Sequence, residues 1–170
     1  GLKDFAILST GEKIANPRHL KKSLSKVKYQ QYKLSKTTKG SKRREKARRR
    51  LAKTYENIKN QRDDFLHKLS HKLTHDSQVD TICMEDLNVQ YMMKNHKLAQ
   101  SISDVSWSRF VELLKYKCDW YGKNFFQIGR FEPSSKMCTC DKLNNELTLK
   151  DREWTCKVCG TTHDRDILAA

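Results

Sequence analysis

Residues 156–166 read Cys-Lys-Val-Cys-Gly-Thr-Thr-His-Asp-Arg-Asp, and this stretch decides the fold because it joins a metal-binding motif to a pair of acids. Two cysteines with two residues between them and a glycine after them are typical of one half of a zinc ribbon. Residues 138–140, Cys-Thr-Cys, offer the other half, although their spacing is one residue shorter. We therefore predict a structural zinc site with four thiolate ligands: Cys138, Cys140, Cys156 and Cys159. The alternative is a degenerate ribbon that binds zinc weakly or not at all.

Asp166 ends this stretch and is predicted to lie at the start of a final helix. A carboxylate at that position can face a divalent cation while its helix packs against a sheet. An aspartate there can equally cap the helix with its side chain, and Asp164 competes with Asp166 for either role. The residues alone leave both assignments open.

Glu85 is the second acidic candidate, because it follows the apolar run of residues 80–84, which we predict to be a strand buried on both faces. An acid at the carboxyl end of such a strand lies where open α/β sheets bind ligands. Together with Asp166 it would hold Mg²⁺, which activates water for phosphodiester cleavage. The alternative is an acid that only caps the following loop.

Other patterns predict the elements around these residues. Residues 5–8 and 13–15 are expected to form a β-hairpin, residues 107–121 an amphipathic helix, and residues 125–128 a second buried strand. A mixed sheet with helices on its faces accommodates this order, with the strand, helix, strand part forming a parallel crossover. We therefore predict an α/β fold, and we interpret residues 88–101 as a polar connection.

A helical hairpin is predicted within residues 17–75. Two stretches, residues 20–34 and 51–69, repeat apolar side chains at steps of three and four, as one face of a helix does. Gln31 and Arg62 interrupt the two stripes. The polar break between the stretches then lets the helices run antiparallel.

The charge of the chain points to nucleic acid. Its 35 Lys and Arg against 20 Asp and Glu give a formal net charge of +15, and a phosphate polymer that releases its counterions is the natural partner. No stretch reads as a lipid-facing amphipathic helix, which disfavours a membrane surface. The basic residues are densest in the hairpin, where we predict nucleic-acid contacts by Lys42, Arg43, Arg44, Lys46, Arg48, Arg49, Arg50 and Lys53. A solvated helix face is the alternative.

The remaining patterns bear on location and on the other thiols. No run approaches the roughly 18 apolar residues of a membrane span, and no signal-peptide pattern opens the chain, so we expect a cytoplasmic protein. A reducing compartment favours metal ligands or buried thiols over disulfides. We expect Cys83 and Cys118, which lie in apolar patterns, to be buried.

Several separate motifs, in the same order along the chain, resemble the OrfB/TnpB transposase family. They are Gly1-Leu2-Lys3-Asp4-Phe5-Ala6, Glu85-Asp86-Leu87-Asn88, Asn95-His96-Lys97-Leu98-Ala99, Pro133-Ser134-Ser135-Lys136, the second cysteine pair, and His163-Asp164-Arg165-Asp166 with Ala169-Ala170. The resemblance covers nearly all of the chain. It implies an RNase H-like (RuvC-like) nuclease domain over residues 1–135 and 161–170, with a zinc ribbon inserted at residues 136–160.

The same resemblance implies an activity. The family looks like the ancestor of type V CRISPR effectors, which are RNA-guided DNA endonucleases, so DNA and a guide RNA are the expected partners at a prokaryotic nucleoid. Its active site is an Asp, Glu, Asp set, in which Glu85 matches the middle acid and Asp166 the last. Gly1 matches the glycine of the Asp-x-Gly-x-Lys motif, which places the first aspartate two residues before the chain begins.

We therefore expect the chain to be a portion of a transposon-associated nuclease that is weakly active or inactive without that first acid. The rival hypothesis is a non-catalytic nucleic-acid-binding module, either a decayed transposase remnant or a guide-dependent binder without nuclease activity. Zn²⁺ and Mg²⁺ are the expected metals under the first hypothesis.

Overall fold

The structure is a computed structural model, and it describes residues 2–76, 78–129, 132–148 and 151–170. It is a mixed α/β structure whose contacts fall into two compact units. The helical unit comprises Pro17–Ile82 and Val89–Phe125, and the cysteine unit comprises Gly1–Asn16, Cys83–Asn88 and Phe126–Ala170. Within the described ranges no helix is both long enough and apolar enough to cross a membrane.

The helical unit is built on the predicted hairpin. Helix α1, His19–Ser35, packs against helix α2, Lys42–His75. Their shared interface buries apolar side chains from both stripes, among them Val27, Ile58, Leu66 and Leu69. The prediction of two helices at this place is confirmed.

The turn between α1 and α2 is closed by polar contacts. The Ser41 side chain caps α2 by accepting a hydrogen bond from the Arg44 amide at 3.2 Å. The Arg44 guanidinium donates to the carbonyl of Leu34, in the last turn of α1, at 3.3 Å and to that of Thr37, just beyond the helix, at 3.2 Å. These bonds fix the direction in which the chain reverses.

The residues that interrupt the two apolar stripes connect helices to one another. Arg62 lies 3.1 Å from Asp104 in an ion pair, and the same carboxylate accepts a hydrogen bond from the Leu20 amide at 3.0 Å. Asp104 therefore caps the start of α1 from another helix. Gln31 donates to the Tyr55 hydroxyl at 2.9 Å across the hairpin.

Residues 88–101, which we interpreted as a polar connection, instead contain helical structure. Helix α3 spans Val89–Met92, and helix α4, His96–Val105, begins where the Asn95 side chain accepts a hydrogen bond from the Lys97 amide. The interpretation was wrong because the apolar face of α4 becomes clear only at its end. There Ile102 and Val105 are buried.

Helix α5, Trp107–Trp120, forms the clearest apolar face of the helical unit and confirms the predicted amphipathic helix. It buries Trp107, Phe110, Leu113, Leu114 and Cys118. The face also contains Lys117, whose ammonium group donates to Ser70 Oγ and to the His67 carbonyl, both at 2.8 Å. Burial lowers the pKa of Lys117.

The six strands of the described ranges form three two-stranded sheets, where we predicted one mixed sheet. The pairs are β1, Asp4–Ile7, with β2, Lys13–Ala15; β3, Thr81–Glu85, with β4, Asn124–Ile128; and β5, Glu153–Thr155, with β6, Thr162–Asp164. The first pair is the predicted β-hairpin, and Gly11 takes the positive φ of 85° that its turn requires. Strands of three to five residues form few hydrogen bonds with each other, so the stability of each pair depends on the residues packed around it.

Strands β3 and β4 are correctly located, but the prediction that they are buried on both faces is wrong. In β3 exposed and half-buried residues alternate, and Phe126 of β4 is 57% exposed. In this two-stranded sheet only one face is partly covered, so the thiol of Cys83 is exposed and the prediction that it is buried is wrong. Cys118, on α5, is buried as predicted. The Asn124 amide donates to the Asp80 carbonyl and the Asp86 amide to the Ile128 carbonyl, the same order along both strands that a parallel pair has.

Candidate metal centres and basic surface

The four predicted zinc ligands converge in the cysteine unit. One ligand atom from each of Cys138, Cys140, Cys156 and Cys159 lies within 4.8 Å of the others. The Sγ atoms of Cys138 and Cys159 are 3.5 Å apart, and those of Cys140 and Cys156 are 3.8 Å apart. Tetrahedral zinc with bonds of about 2.3 Å to sulfur places its ligands about 3.8 Å from each other. The arrangement thus fits a tetrahedral metal ion.

The short first knuckle still presents both of its cysteines to the cluster. Asp141 adopts a positive φ of 59°, and its amide donates to the Cys138 carbonyl at 2.9 Å. The Cys138 amide in turn donates to the Lys142 carbonyl at 2.9 Å. In the second knuckle Gly160 has the positive φ, at 72°. A left-handed aspartate therefore turns the chain where a glycine does so in the second half.

The four thiols differ in acidity because they share hydrogen bonds. Hydrogen bonds from the side chain and backbone of Thr161 lower the pKa of Cys159 to about 6. Hydrogen bonding to Cys138 raises the pKa of Cys140 to about 12. Neighbouring thiolates repel one another, so a bound dication would let all four ionise together and would release protons.

His163 also lies at the cysteine cluster, a position that the sequence analysis did not identify. Its Nε2 atom is 3.0 Å from Cys138 Sγ, its side chain is buried, and its ring packs 5.0 Å from that of Trp154. A ring N–H at this distance can donate to a thiolate and hold it in place. Side chains alternate between the two faces of strand β6, so His163 is on the side of the cluster while its neighbours are more exposed. This alternation is the signal by which the sequence could have identified His163.

The structure assigns different roles to the two aspartates of the final motif. Asp164 caps helix α6, Arg165–Leu168, by accepting hydrogen bonds from the amides of Asp166 and Ile167 at 2.8 and 3.2 Å. It also pairs with Lys13 at 3.2 Å. Asp166 is left out of the cap, and its two carboxylate oxygens lie 3.1 and 3.2 Å from the Arg152 guanidinium.

Glu85 lies at the end of β3, is exposed, and belongs to the same unit as Asp166. In the ranges described here, the cysteine cluster is the one group of three or more His, Cys, Asp or Glu side chains that converges as metal ligands would. The structure therefore brings the four cysteines together but does not collect Glu85 and Asp166 around a third acidic ligand.

The eight basic residues predicted to contact nucleic acid lie on the first turns of α2. Seven of them are exposed, and Arg44 is half-buried because it closes the hairpin turn. Arg49 pairs with Glu45 at 2.5 Å, an i,i+4 contact on an exposed surface that contributes little stability. The surface is thus strongly cationic, with Arg44 serving the fold.

Two family models match the chain. OrfB_IS605, described as "Probable transposase", matches residues 1–96, and a model described as "Cas12f1-like, TNB domain" matches residues 107–170.

Curated relatives match the chain along its whole length or nearly so. A "Putative RNA-guided DNA endonuclease" of Streptomyces pristinaespiralis is 46% identical over 100% of this chain and 42% of its own length. "Putative RNA-guided DNA endonuclease Rv2885c" of Mycobacterium tuberculosis (strain ATCC 25618 / H37Rv) is 29% identical over 94% of this chain and 35% of its own length. "Putative RNA-guided DNA endonuclease InsQ" of Escherichia coli (strain K12) is 26% identical over 100% and 46%. The chain spans less than half the length of each.

Proposed function

Because the chain belongs to the OrfB_IS605 family of transposases, whose model matches more than half of it, we propose that it is part of an RNA-guided DNA endonuclease that hydrolyses phosphodiester bonds with divalent metal ions. The observation that carries this proposal is the arrangement of the final motif. Asp164 takes over the capping of α6, so the Asp166 carboxylate is not used by the helix and instead pairs with a cationic group, Arg152, within the unit that also contains Glu85. The 46% identity over the whole chain to the Streptomyces pristinaespiralis relative, whose name is "Putative RNA-guided DNA endonuclease", supports the same conclusion.

The proposed fold of the complete nuclease domain is RuvC-like. Residues 1–135 and 161–170 would contribute to it, with residues 136–160 as the inserted zinc ribbon. The parallel order of the β3–β4 hydrogen bonds supports a strand, helix, strand crossover of the kind such a domain contains. The helical hairpin, proposed to span residues 17–75, would be a basic insertion into this domain.

The proposed structural metal is zinc, held by the four cysteines of the cluster. Their near-tetrahedral sulfur distances support this choice, and four thiolates favour zinc over the hard cations. His163 would hold the Cys138 thiolate in its orientation. Only two residues, Asp164 and Arg165, separate His163 from Asp166 in the sequence.

The proposed catalytic metal is Mg²⁺, with Glu85 and Asp166 as two of its ligands. When bound in such sites, the ion activates water and stabilises the leaving oxygen of the phosphodiester. Arg152 neutralises Asp166 in this structure, so the guanidinium has to move aside before the carboxylate takes up a cation. The basic side chains on α2 would hold the DNA or RNA backbone through their charge.

Cleavage of target DNA by a full-length protein that contains this chain, with its RNA and Mg²⁺, tests the proposal. We expect Glu85→Gln and Asp166→Asn to reduce cleavage by at least about 100-fold, because an incomplete carboxylate set cannot fix the metal ions. Glu153→Gln, at an exposed position on β5, is the matched control and is expected to cut normally. RNA and DNA binding should be unchanged in all three variants.

Cutting at the wild-type rate by either carboxamide variant would remove that residue from the mechanism. A second candidate function is a non-catalytic nucleic-acid binder, which is favoured by the pairing of Asp166 with Arg152. It predicts that the wild-type protein binds RNA and DNA but does not cut under any divalent metal.

A further inference from the structure

Helix α1 has a cationic surface of its own, distinct from the eight residues on α2. Residues 13–41 contain nine Lys and Arg and no Asp or Glu. On α1 the lysines occupy the solvent side, opposite the buried Val27, and all are exposed: Lys21, Lys22, Lys26, Lys28 and Lys33. No carboxylate within this segment offsets their mutual repulsion, so this face of α1 favours an anionic ligand.

Two tyrosines lie within this cationic face. Tyr29 is 58% exposed and Tyr32 is 61% exposed, which is unusual for large aromatic side chains on a helix with a well-formed apolar face elsewhere. Lys33 Nζ lies 5.0 Å from the Tyr29 ring centre, and Lys36 Nζ lies 5.5 Å from that of Tyr32. Each ring is therefore paired with a cation and still presents much of its surface to solvent.

The spacing puts both rings on the same side of the helix. Residues three apart lie about one turn from each other, with Cβ atoms about 5–6 Å apart. Rings in this position can contact successive flat groups of one ligand. The lysines around them are suited to the charges that such a ligand carries along its backbone.

The face is continuous with the basic start of α2. Gln31, between the two tyrosines in sequence, is bonded to Tyr55 of α2 at 2.9 Å, which fixes this part of α1 beside α2. The helices run antiparallel, so the end of α1 that contains the tyrosines lies next to the first turns of α2. The arginines there extend the cationic surface beyond the tyrosines.

We propose that Tyr29 and Tyr32 form a stacking site for unpaired bases of a single-stranded nucleic acid, whose phosphates contact the surrounding lysines. Single strands expose the faces of their bases, and base-on-aromatic stacking combined with a cationic groove is how proteins bind them without reading sequence. In a duplex these faces are covered, so a duplex would gain only the charge contacts. The proposal rests on the proposed function in that it requires a nucleic-acid partner, but it does not require cleavage.

Equilibrium binding without added Mg²⁺ and without a chelator tests the site, because cleavage then plays no part, its failure cannot affect the result, and the proposed zinc ion is left in place. Fluorescence anisotropy would compare labelled single-stranded DNA, single-stranded RNA of the same sequence, and a blunt DNA duplex. We expect Tyr29→Leu and Tyr32→Leu each to weaken single-strand binding by at least about fivefold, the lower end of the stacking contribution. Duplex binding should not change.

Three controls separate stacking from charge and from damage to the helix. Tyr29→Phe and Tyr32→Phe keep an aromatic face and are expected to bind as the wild type does. Tyr91→Leu removes an exposed tyrosine that also has a lysine 5.4 Å from its ring centre but lies on α3, and it should have no effect. Lys33→Gln removes one phosphate contact, so the slope of log affinity against log salt concentration should become shallower by about one for all three nucleic acids.

Two results would overturn the stacking site. One is single-strand affinity that stays the same in both leucine variants. The other is an equal loss of affinity for single strand and duplex, which would mean that the tyrosines support the fold of α1 and do not stack on bases. Because leucine is a strong helix former, circular dichroism should show that α1 is intact in either case.

Discussion

Replacing His163 by phenylalanine removes the hydrogen bond to Cys138 while keeping an aromatic ring beside Trp154. The Nε2–Sγ distance of 3.0 Å and the 8% exposure of His163 place this bond away from water, so solvent does not replace it. A hydrogen bond to a charged group contributes about 1.5–3 kcal/mol. Since about 1.4 kcal/mol corresponds to a tenfold change in an equilibrium constant, zinc should bind about 10- to 100-fold more weakly, the range observed when an outer partner of a metal ligand is lost.

Competition with a chromophoric zinc chelator at fixed pH measures this change. Cys156→Ser serves as the positive control, because it removes a thiolate ligand and should lower the zinc stoichiometry itself. His96→Phe is the matched control, because His96 is an exposed histidine at the start of α4 in the helical unit. An unchanged affinity in His163→Phe would refute the reasoning and would show that Cys138 is oriented by its own backbone bonds alone.

Two further predictions concern the stability of the helical unit. Asp104→Asn should lower the free energy of unfolding by about 3 kcal/mol, because it leaves the Arg62 charge without its buried partner. The control Asp64→Asn breaks the exposed pair with Lys68 and should lower it by less than about 1 kcal/mol. Urea denaturation of both variants measures the difference, and equal losses would contradict the prediction. Burial lowers the pKa of Lys117 below its ordinary 10.5, so between these two pKa values the unfolded state binds more protons and the free energy of unfolding should rise with pH. Lys117→Met should flatten that rise, and a variant with the same pH dependence as the wild type would assign it to another group.

Much of the fold could be predicted because the relevant signals are local. The steps of three and four along α1 and α2 reflect one buried helix face, and the tight β-hairpin reflects the conformational freedom of Gly11. Gln31 and Arg62 counted against the helical pattern, but the structure shows that each forms a hydrogen bond to a neighbouring helix. A polar residue in an apolar stripe can therefore mark a contact between helices that sequence periodicity alone does not identify.

The features that could not be predicted depend on contacts distant in sequence. The exposure of Phe126 and Cys83 follows from how many strands join the sheet, which an apolar run does not reveal. His163 reaches Cys138 across 25 residues of sequence. The cysteines of the candidate site were predictable because their spacing is itself the signal, whereas the surroundings of Glu85 depend on elements far away in the chain.

Asp104 has a mechanical consequence for the helical hairpin. Helix α2 has 34 residues and is about 51 Å long, and the carboxylate holds it at Arg62 while holding the first turn of α1 at Leu20. The far end around Gly40 has no comparable anchor among its described contacts and is closed only by local turn bonds. Loss of the Asp104 carboxylate would therefore release both helices at their base at once, whereas the far end would keep its own turn bonds.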